Sequence, residues 1–205
     1  MAYTVIAIAR TLSAGGETIG RMLAGDFGLR YVDTEIIDRA AAKAGVTAKE
    51  IAKVEARKGL IQRIFESFAS AGAGAGAPAT EAVNQLPGYE QVIIDVIRQT
   101  AADGNAVIVA HGAAIALAGM SGVLRILVTA SPDTRVARLI ANGQGKTTAR
   151  RLIEESDVTR AEFLQRFYQL DEEKPTHYDL VINTDHISAD DAAGLIRGLV
   201  EKGRA

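Results

Sequence analysis

Near its start the chain reads Val5-Ile-Ala-Ile-Ala9, a run of small and β-branched apolar residues with no polar interruption. A half-exposed strand alternates polar and apolar side chains. A run that does not alternate predicts a strand covered on both faces. It leaves through a polar, glycine-bearing turn, Arg10 to Gly16, into Thr18–Phe27, where Ile19, Met22, Leu23 and Phe27 share one helical face and Gly28 marks the end. Buried strand, glycine turn and amphipathic helix together make half of a βαβ unit.

The same alternation recurs. Leu29–Val32 reads as a short strand. Asp33-Thr34 offers an N-cap for a helix through Ala44 closed by Gly45, and Thr47-Ala-Lys-Glu50 is a capping-box pattern. A helix from Tyr89 to about Ala102 precedes a turn at Asp103-Gly-Asn105 and a second buried strand, Ala106–Ala110. Gly112–Gly119 reads as a short helix and Leu124–Thr129 as a third strong strand. Ser131-Pro132 starts another helix with a serine cap and proline in the first turn. The glycine-broken basic stretch Asn142–Lys146 leads into a long polar helix, Thr147 to Asp171. Tyr178–Ile182 reads as the last strand, and Ser188 caps the C-terminal helix. Strands alternating with helices predict an α/β fold with a mainly parallel sheet of about five strands. Ligands in such sheets bind beyond the carboxyl ends of the strands, so residues just after each strand are the candidates.

Composition narrows the field. At 205 residues one domain is expected, and the net charge of −2 gives no global attraction to nucleic acid or an anionic membrane. There is no cysteine, which excludes disulfides and thiolate metal sites, and the histidines stand far apart at His111, His177 and His186. No stretch reaches the roughly 18 apolar residues of a membrane span. The expectation is a cytoplasmic protein with small-molecule partners and neither a nucleic-acid polymer nor a membrane among them. The segment Ser70–Thr80, rich in alternating Ala and Gly, is expected to be a flexible excursion between helices.

The turn after the first strand decides the ligand class. A dinucleotide turn needs G-x-G-x-x-G almost directly after the strand, whereas Arg10 to Ala14 intervene here before Gly15-Gly16 and Gly20. The longer loop matches a P-loop, which wraps phosphate with successive backbone N–H groups. Against G-x-x-x-x-G-K-[ST], Arg10 stands at the first glycine, Gly15 at the second, Gly16 at the lysine and Glu17 next, with Thr18 following. The cradle is kept and its cation is missing. An ordinary strand-to-helix turn is the bland alternative, in which Glu17 simply stabilises the helix N-terminus.

The strand Val5–Ala9, Arg10, Ser13-Ala-Gly-Gly16, Ile19-Gly20, Leu23-Ala24, Phe27-Gly28, Tyr31 and Asp33 resemble the opening of the cytidylate kinase-like family. Asn105–Val109, Leu124–Leu127, Pro132 with Arg135, Asp157-x-x-Arg160 and Tyr178–Thr184 follow in that family's order, so the resemblance covers nearly the whole chain. It implies a P-loop kinase-like three-layer αβα fold with strand order 2-3-1-4-5, a helical acceptor-binding insertion over 33–104 and a lid-like region over 142–172. It implies ATP and Mg²⁺, with CMP or dCMP as acceptor. Arg10, Ser13, Ala14, Gly15, Gly16, Glu17 and Thr18 would bind ATP, the Thr18 hydroxyl would hold the metal, and Asp33, Arg39 and His111 would face the acceptor. Arg135 and Arg160 would act on the transferring phosphoryl group, with Asp157 orienting Arg160. Arg138, Lys146, Arg150 and Arg151 would complete the clamp. Two departures stand out: Glu17 replaces an arginine usual in the family, and Ala110-His111-Gly112 replaces Gly-Arg-Gly. Both remove positive charge, so a catalytically weak or inactive nucleotide-binding regulator is the competing reading. A third is a scaffold whose helices, including Ile61–Phe68 and Tyr89–Ile97, serve homo-oligomerisation.

Overall fold

The computed structural model describes residues 3–33, 35–36, 39, 89–109 and 112–204. The capping-box helix, the segment 70–80, Ile61–Phe68, His111 and most of the 33–104 insertion lie outside the described residues. In chain order the elements are β1 (Val5–Arg10), α1 (Gly16–Phe27), β2 (Arg30–Val32), α2 (Tyr89–Ala102), β3 (Ala106–Ile108), α3 (Ala113–Ala116), β4 (Val123–Thr129), α4 (Pro132–Ala141), α5 (Lys146–Tyr168), β5 (Leu180–Asn183) and α6 (Ala189–Arg204). A 3₁₀ turn, Pro175–His177, precedes β5.

Among the described residues the strands form one sheet in the order β2-β3-β1-β4-β5, and its pairings are all parallel. β1 lies in the middle, with Val5 opposite both Ala106 and Val123. Its side chains alternate between two cores. Val5, Ala7 and Ala9 pack with Ile93, Ile97, Ile108 and Leu117; Ile6 and Ile8 pack with Ile19, Leu23, Ile126 and Ile196. That two-sided burial is why the strand reads as an unbroken apolar run. A third cluster, Val136, Leu139, Ala149, Leu152 and Ile153, joins α4 to α5, and Leu12 of the β1–α1 turn packs against it.

The caps follow local chemistry. Gly28 adopts φ 63°, its N–H meets the carbonyls of Ala24 and Gly25, and Leu29 N–H reaches Ala24 O at 2.8 Å, a Schellman ending. The Ser131 hydroxyl accepts from Thr134 N–H, with Pro132 opening α4, and the Ser188 hydroxyl accepts from Asp191 N–H.

Several boundaries differ from the sequence reading. The helix α1 begins at Gly16 rather than Thr18. α3 is one turn, Ala113–Ala116, instead of Gly112–Gly119. α5 stops at Tyr168 because Gln169 takes a left-handed φ of 53° and reverses the chain, so Asp171 lies beyond it. β5 starts at Leu180, not Tyr178. Tyr178 turns inward from the 3₁₀ turn to Glu173, and pairing with β4 begins at Ile126 opposite Leu180.

Close packing of α1 on the sheet depends on Gly20. A Cβ there would stand 2.8 Å from Val109 Cγ2 and 3.2 Å from Tyr31 Cε2. Gly20→Val should therefore lower unfolding free energy by about 2–3 kcal/mol. Gly25 lies in the same helix with nothing within 4 Å of a Cβ, so Gly25→Ala should gain up to about 1 kcal/mol. Urea denaturation of both variants checks the contrast.

Candidate active site

The turn after β1 carries two left-handed residues, Ser13 at φ 64° and Gly15 at φ 91°. Ala14 N–H closes back on Thr11 O at 3.1 Å, and Ile19 N–H returns to Gly15 O at 3.0 Å. The N–H groups of Gly15, Gly16, Glu17 and Thr18 between them have no hydrogen-bond partner among the described residues. They form a concave run of donors at the start of α1, at the carboxyl end of the central strand.

Arg10 and Glu17 form an ion pair across this turn. The arginine lies over Gly16, where a Cβ would come within 2.7 Å of Arg10 Cβ. Glycine at that position is thus what lets the arginine cross. Glu17 therefore does not face a bound anion as an uncompensated charge: its partner belongs to this chain.

On the β2 side of the turn, burial raises the Asp33 carboxyl above its ordinary range. Arg10 opposes the rise and Glu17 adds to it. Burial, followed by the Asp33 charge, pushes the Tyr31 hydroxyl up to about 12. That hydroxyl is buried and has no hydrogen-bond partner among the described residues. Arg21 lies 4.3 Å above the Tyr31 ring.

The arginines expected to act on phosphate are already engaged. Arg135 is buried, donates to Ala130 O at 3.0 Å, and grips Asp157 through two bonds of 2.8 and 2.7 Å. Asp157 thus orients Arg135 and not Arg160, which corrects the pairing read from Asp157-x-x-Arg160. Arg160 instead pairs with Glu173, Nε to Oε2 at 2.8 Å, and donates to Arg10 O at 3.0 Å. Glu173 also accepts from the Tyr178 hydroxyl. Burial alone would raise Glu173, but the Arg160 hydrogen bond and charge, with help from Tyr178, outweigh it and hold the carboxyl below its usual value. Arg160, Arg135, Asp157, Glu173 and Thr11 line a cavity of about 190 Å³ between the turn and α5.

Other candidates lie elsewhere. Arg39 donates to Thr100 at 2.8 Å and Asp103 at 3.5 Å, beside the end of α2 that leads into β3. That is the amino-terminal side of the sheet, so Arg39 is not gathered with the Gly15 turn. Arg138 is bound to Ser13 O and to both oxygens of Thr184. Arg151 pairs with Glu155 one turn along α5 at 3.1 Å. Lys146 and Arg150 are exposed at the start of α5. His111 is outside the described residues.

Glu173 and Thr184 escaped the sequence reading as site residues. Glu173 sits in the run Asp171-Glu-Glu173, which reads as solvated charge. Thr184 carried one signal, its position directly after a strand. Asp185, just beyond β5, accepts Ser131 N–H at 2.8 Å, and that backbone bond chiefly holds its carboxyl down at about 2.

A profile of the cytidylate kinase-like family matches residues 5–186. The chain belongs to that family. Over 138 residues it is 29% identical to a cytidylate kinase of Azorhizobium caulinodans, the match spanning 65% of this chain and 66% of the relative. A cytidylate kinase of Afipia carboxidovorans is also 29% identical, over 155 residues, 73% of this chain and 74% of that one. The fold is that of P-loop kinases: shikimate kinase from Bacteroides thetaiotaomicron superposes with a TM-score of 0.52 at 16% identity, covering 97% and 98% of the two chains. No helix among the described residues is long and apolar enough to cross a membrane.

The depressed Glu173 value has a definite pH signature. A carboxyl whose folded pKa lies below its unfolded one stabilises fully above about pH 4.3, and that stability is lost as pH falls through the folded value. Glu173→Gln should cost about 3 kcal/mol at neutral pH by leaving Arg160 buried without its anion. The gap between parent and variant should close on acidification below about pH 4. Urea denaturation from neutral to acidic pH measures it.

Proposed function

We propose that this chain transfers the terminal phosphoryl group of ATP to a nucleoside monophosphate of the CMP or dCMP type. Membership of the cytidylate kinase-like family supports a nucleotide kinase. The observation that carries the reading is the N–H run of Gly15 to Thr18, unpartnered among the described residues, with the aliphatic stem of Arg10 lying over Gly16 and its guanidinium paired with Glu17.

In this reading the N–H run receives the phosphate chain of ATP, as helix N-termini and nests of backbone donors do. Arg10 supplies the cation absent from position 16, and Glu17 aims it. Asp33, at the end of β2, orients the acceptor. Phosphoryl transfer breaks the bond from the terminal phosphorus to its bridging oxygen and forms one to an acceptor phosphate oxygen, with charge spread over the equatorial oxygens. The protein's task is placement and charge compensation. Mg²⁺ needs few protein ligands when phosphates and water supply the rest, and a single hydroxyl at the start of α1 suits that chemistry. The Thr18 hydroxyl is the group that would hold it, and the ion would neutralise phosphate charge.

Arg135 and Arg160 border the turn through Thr11 and Arg10 O. To reach a phosphate they must exchange carboxylates for phosphate oxygens. The engagement of Arg135, Arg138 and Arg160 by protein oxygens also favours the second reading, a nucleotide-binding protein with weak turnover.

The test is Mg²⁺-dependent ADP formation from ATP in the presence of CMP, dCMP, UMP or AMP, with ATP alone as the control. Stimulation by a cytosine nucleotide supports the kinase reading; ATP binding without stimulation supports the second. Arg10→Met should weaken ATP binding about tenfold or more, one lost charged contact. Glu17→Gln should tighten it modestly, because it removes a carboxylate beside the phosphate chain whose repulsion the Arg10 pairing already largely offsets. Glu17→Arg should gain no more than Glu17→Gln, since the new guanidinium would stand against Arg10. Titrations at low and high salt should show the differences shrinking as salt rises.

A further inference from the structure

The phosphate turn is fastened from behind by two residues, Thr184 and Arg138, that bind its carbonyls. Thr184 follows β5, is 3% exposed, and is tied to the end of β4 through its N–H to Thr129 O at 2.8 Å. Its hydroxyl reaches Ala14 O at 2.9 Å and lies 3.2 Å from Thr129 O. Arg138, from α4, donates through Nη1 to Thr184 Oγ1 at 3.0 Å and to Ser13 O at 3.1 Å, and through Nη2 to Thr184 O.

A planar trans peptide points its C=O and N–H in opposite directions. Drawing the Ser13 carbonyl toward Arg138 turns Ala14 N–H the other way, where Thr11 O takes it. Drawing the Ala14 carbonyl toward buried Thr184 turns Gly15 N–H away from the core, and that group begins the run that has no partner among the described residues. Ser13 meanwhile holds a φ of 64°, a conformation that costs a non-glycine residue free energy and persists only when its surroundings impose it. The two carbonyl anchors are that imposition.

We infer that Thr184, braced by Arg138, is a positioning residue that presets the Gly15 N–H, and with it the donor run through Thr18, for a polyphosphate chain. The identity of that chain as ATP rests on the proposed function; the presetting itself does not.

The test compares the full-length parent with Thr184→Val, which keeps the shape and removes the hydroxyl, and Thr184→Ser, which keeps the hydroxyl. Each is titrated with inorganic tripolyphosphate, with ATP and with CMP, at temperatures where thermal melts show it folded. Thr184→Val should weaken both polyphosphates about tenfold, while Thr184→Ser stays within about twofold of the parent and CMP affinity is unchanged. Gly15 amide exchange in the unliganded protein should change with Val and not with Ser. A role confined to stability would lower the melting temperature and leave these affinities alone. Parent-like tripolyphosphate binding by Thr184→Val, or equal impairment of Val and Ser, overturns the inference. If the parent binds tripolyphosphate but not ATP, the nucleotide reading falls and the Val–Ser comparison still judges the positioning role. Failure of the parent to bind either overturns both. Should Thr184→Val not fold, Arg138→Lys takes its place: it keeps the charge but cannot span Ser13 O and Thr184 together, so unchanged tripolyphosphate affinity overturns the inference.

Discussion

Central placement of β1 is the constraint on which the rest depends. A strand paired on both edges and covered on both faces has little freedom in direction or register, so its carboxyl end is held from every side. The chain leaving it must turn into α1 within a few residues while the helix's first N–H groups find no partner among the described residues. Those donors are therefore presented by a rigid element. That combination is what the proposed function reads as a phosphate cradle; a helix N-terminus on a mobile loop would lack the fixed geometry.

The electrostatics around this point are local and compensated. With a net charge of −2 the chain as a whole offers nothing to attract a polyanion. Around the turn, however, Arg10, Arg135, Arg138 and Arg160 come from β1, α4 and α5. Each is held by a carboxylate or by backbone oxygens: Glu17, Asp157, Glu173, and the oxygens of Ser13 and Thr184. Guanidinium groups buried without such partners would cost several kcal/mol. The pairings keep the cations in place and leave an anion to compete with carboxylates for them. Arg138 differs from the others, because its acceptors are neutral oxygens that shape the turn itself.

α4 and α5 join this arrangement through packing as well as charge. Leu12 of the turn lies against the cluster that unites the two helices, and Arg160 of α5 donates to the carbonyl of Arg10. These two contacts tie α4 and α5 directly to the backbone of the turn.

The fold was largely legible in the residues. The non-alternating run Val5–Ala9 announced a doubly covered strand, Gly28 and Ser131 announced helix ends, and the βα alternation announced parallel pairing, because each rests on short-range periodicity or capping chemistry. The spacing from Arg10 to Gly16 likewise identified the turn as a phosphate loop candidate. The partners of its charges were not legible. Asp157 stands three residues before Arg160 yet holds Arg135, and Glu17 meets Arg10, seven residues back across a turn. Thr184, the residue behind Ala14, is 170 positions away in the chain. Side-chain pairing between elements depends on where parallel strands place their carboxyl ends and how α4 and α5 pack beside them. Local sequence encodes periods and caps; only the assembled sheet determines which oxygens each guanidinium can reach.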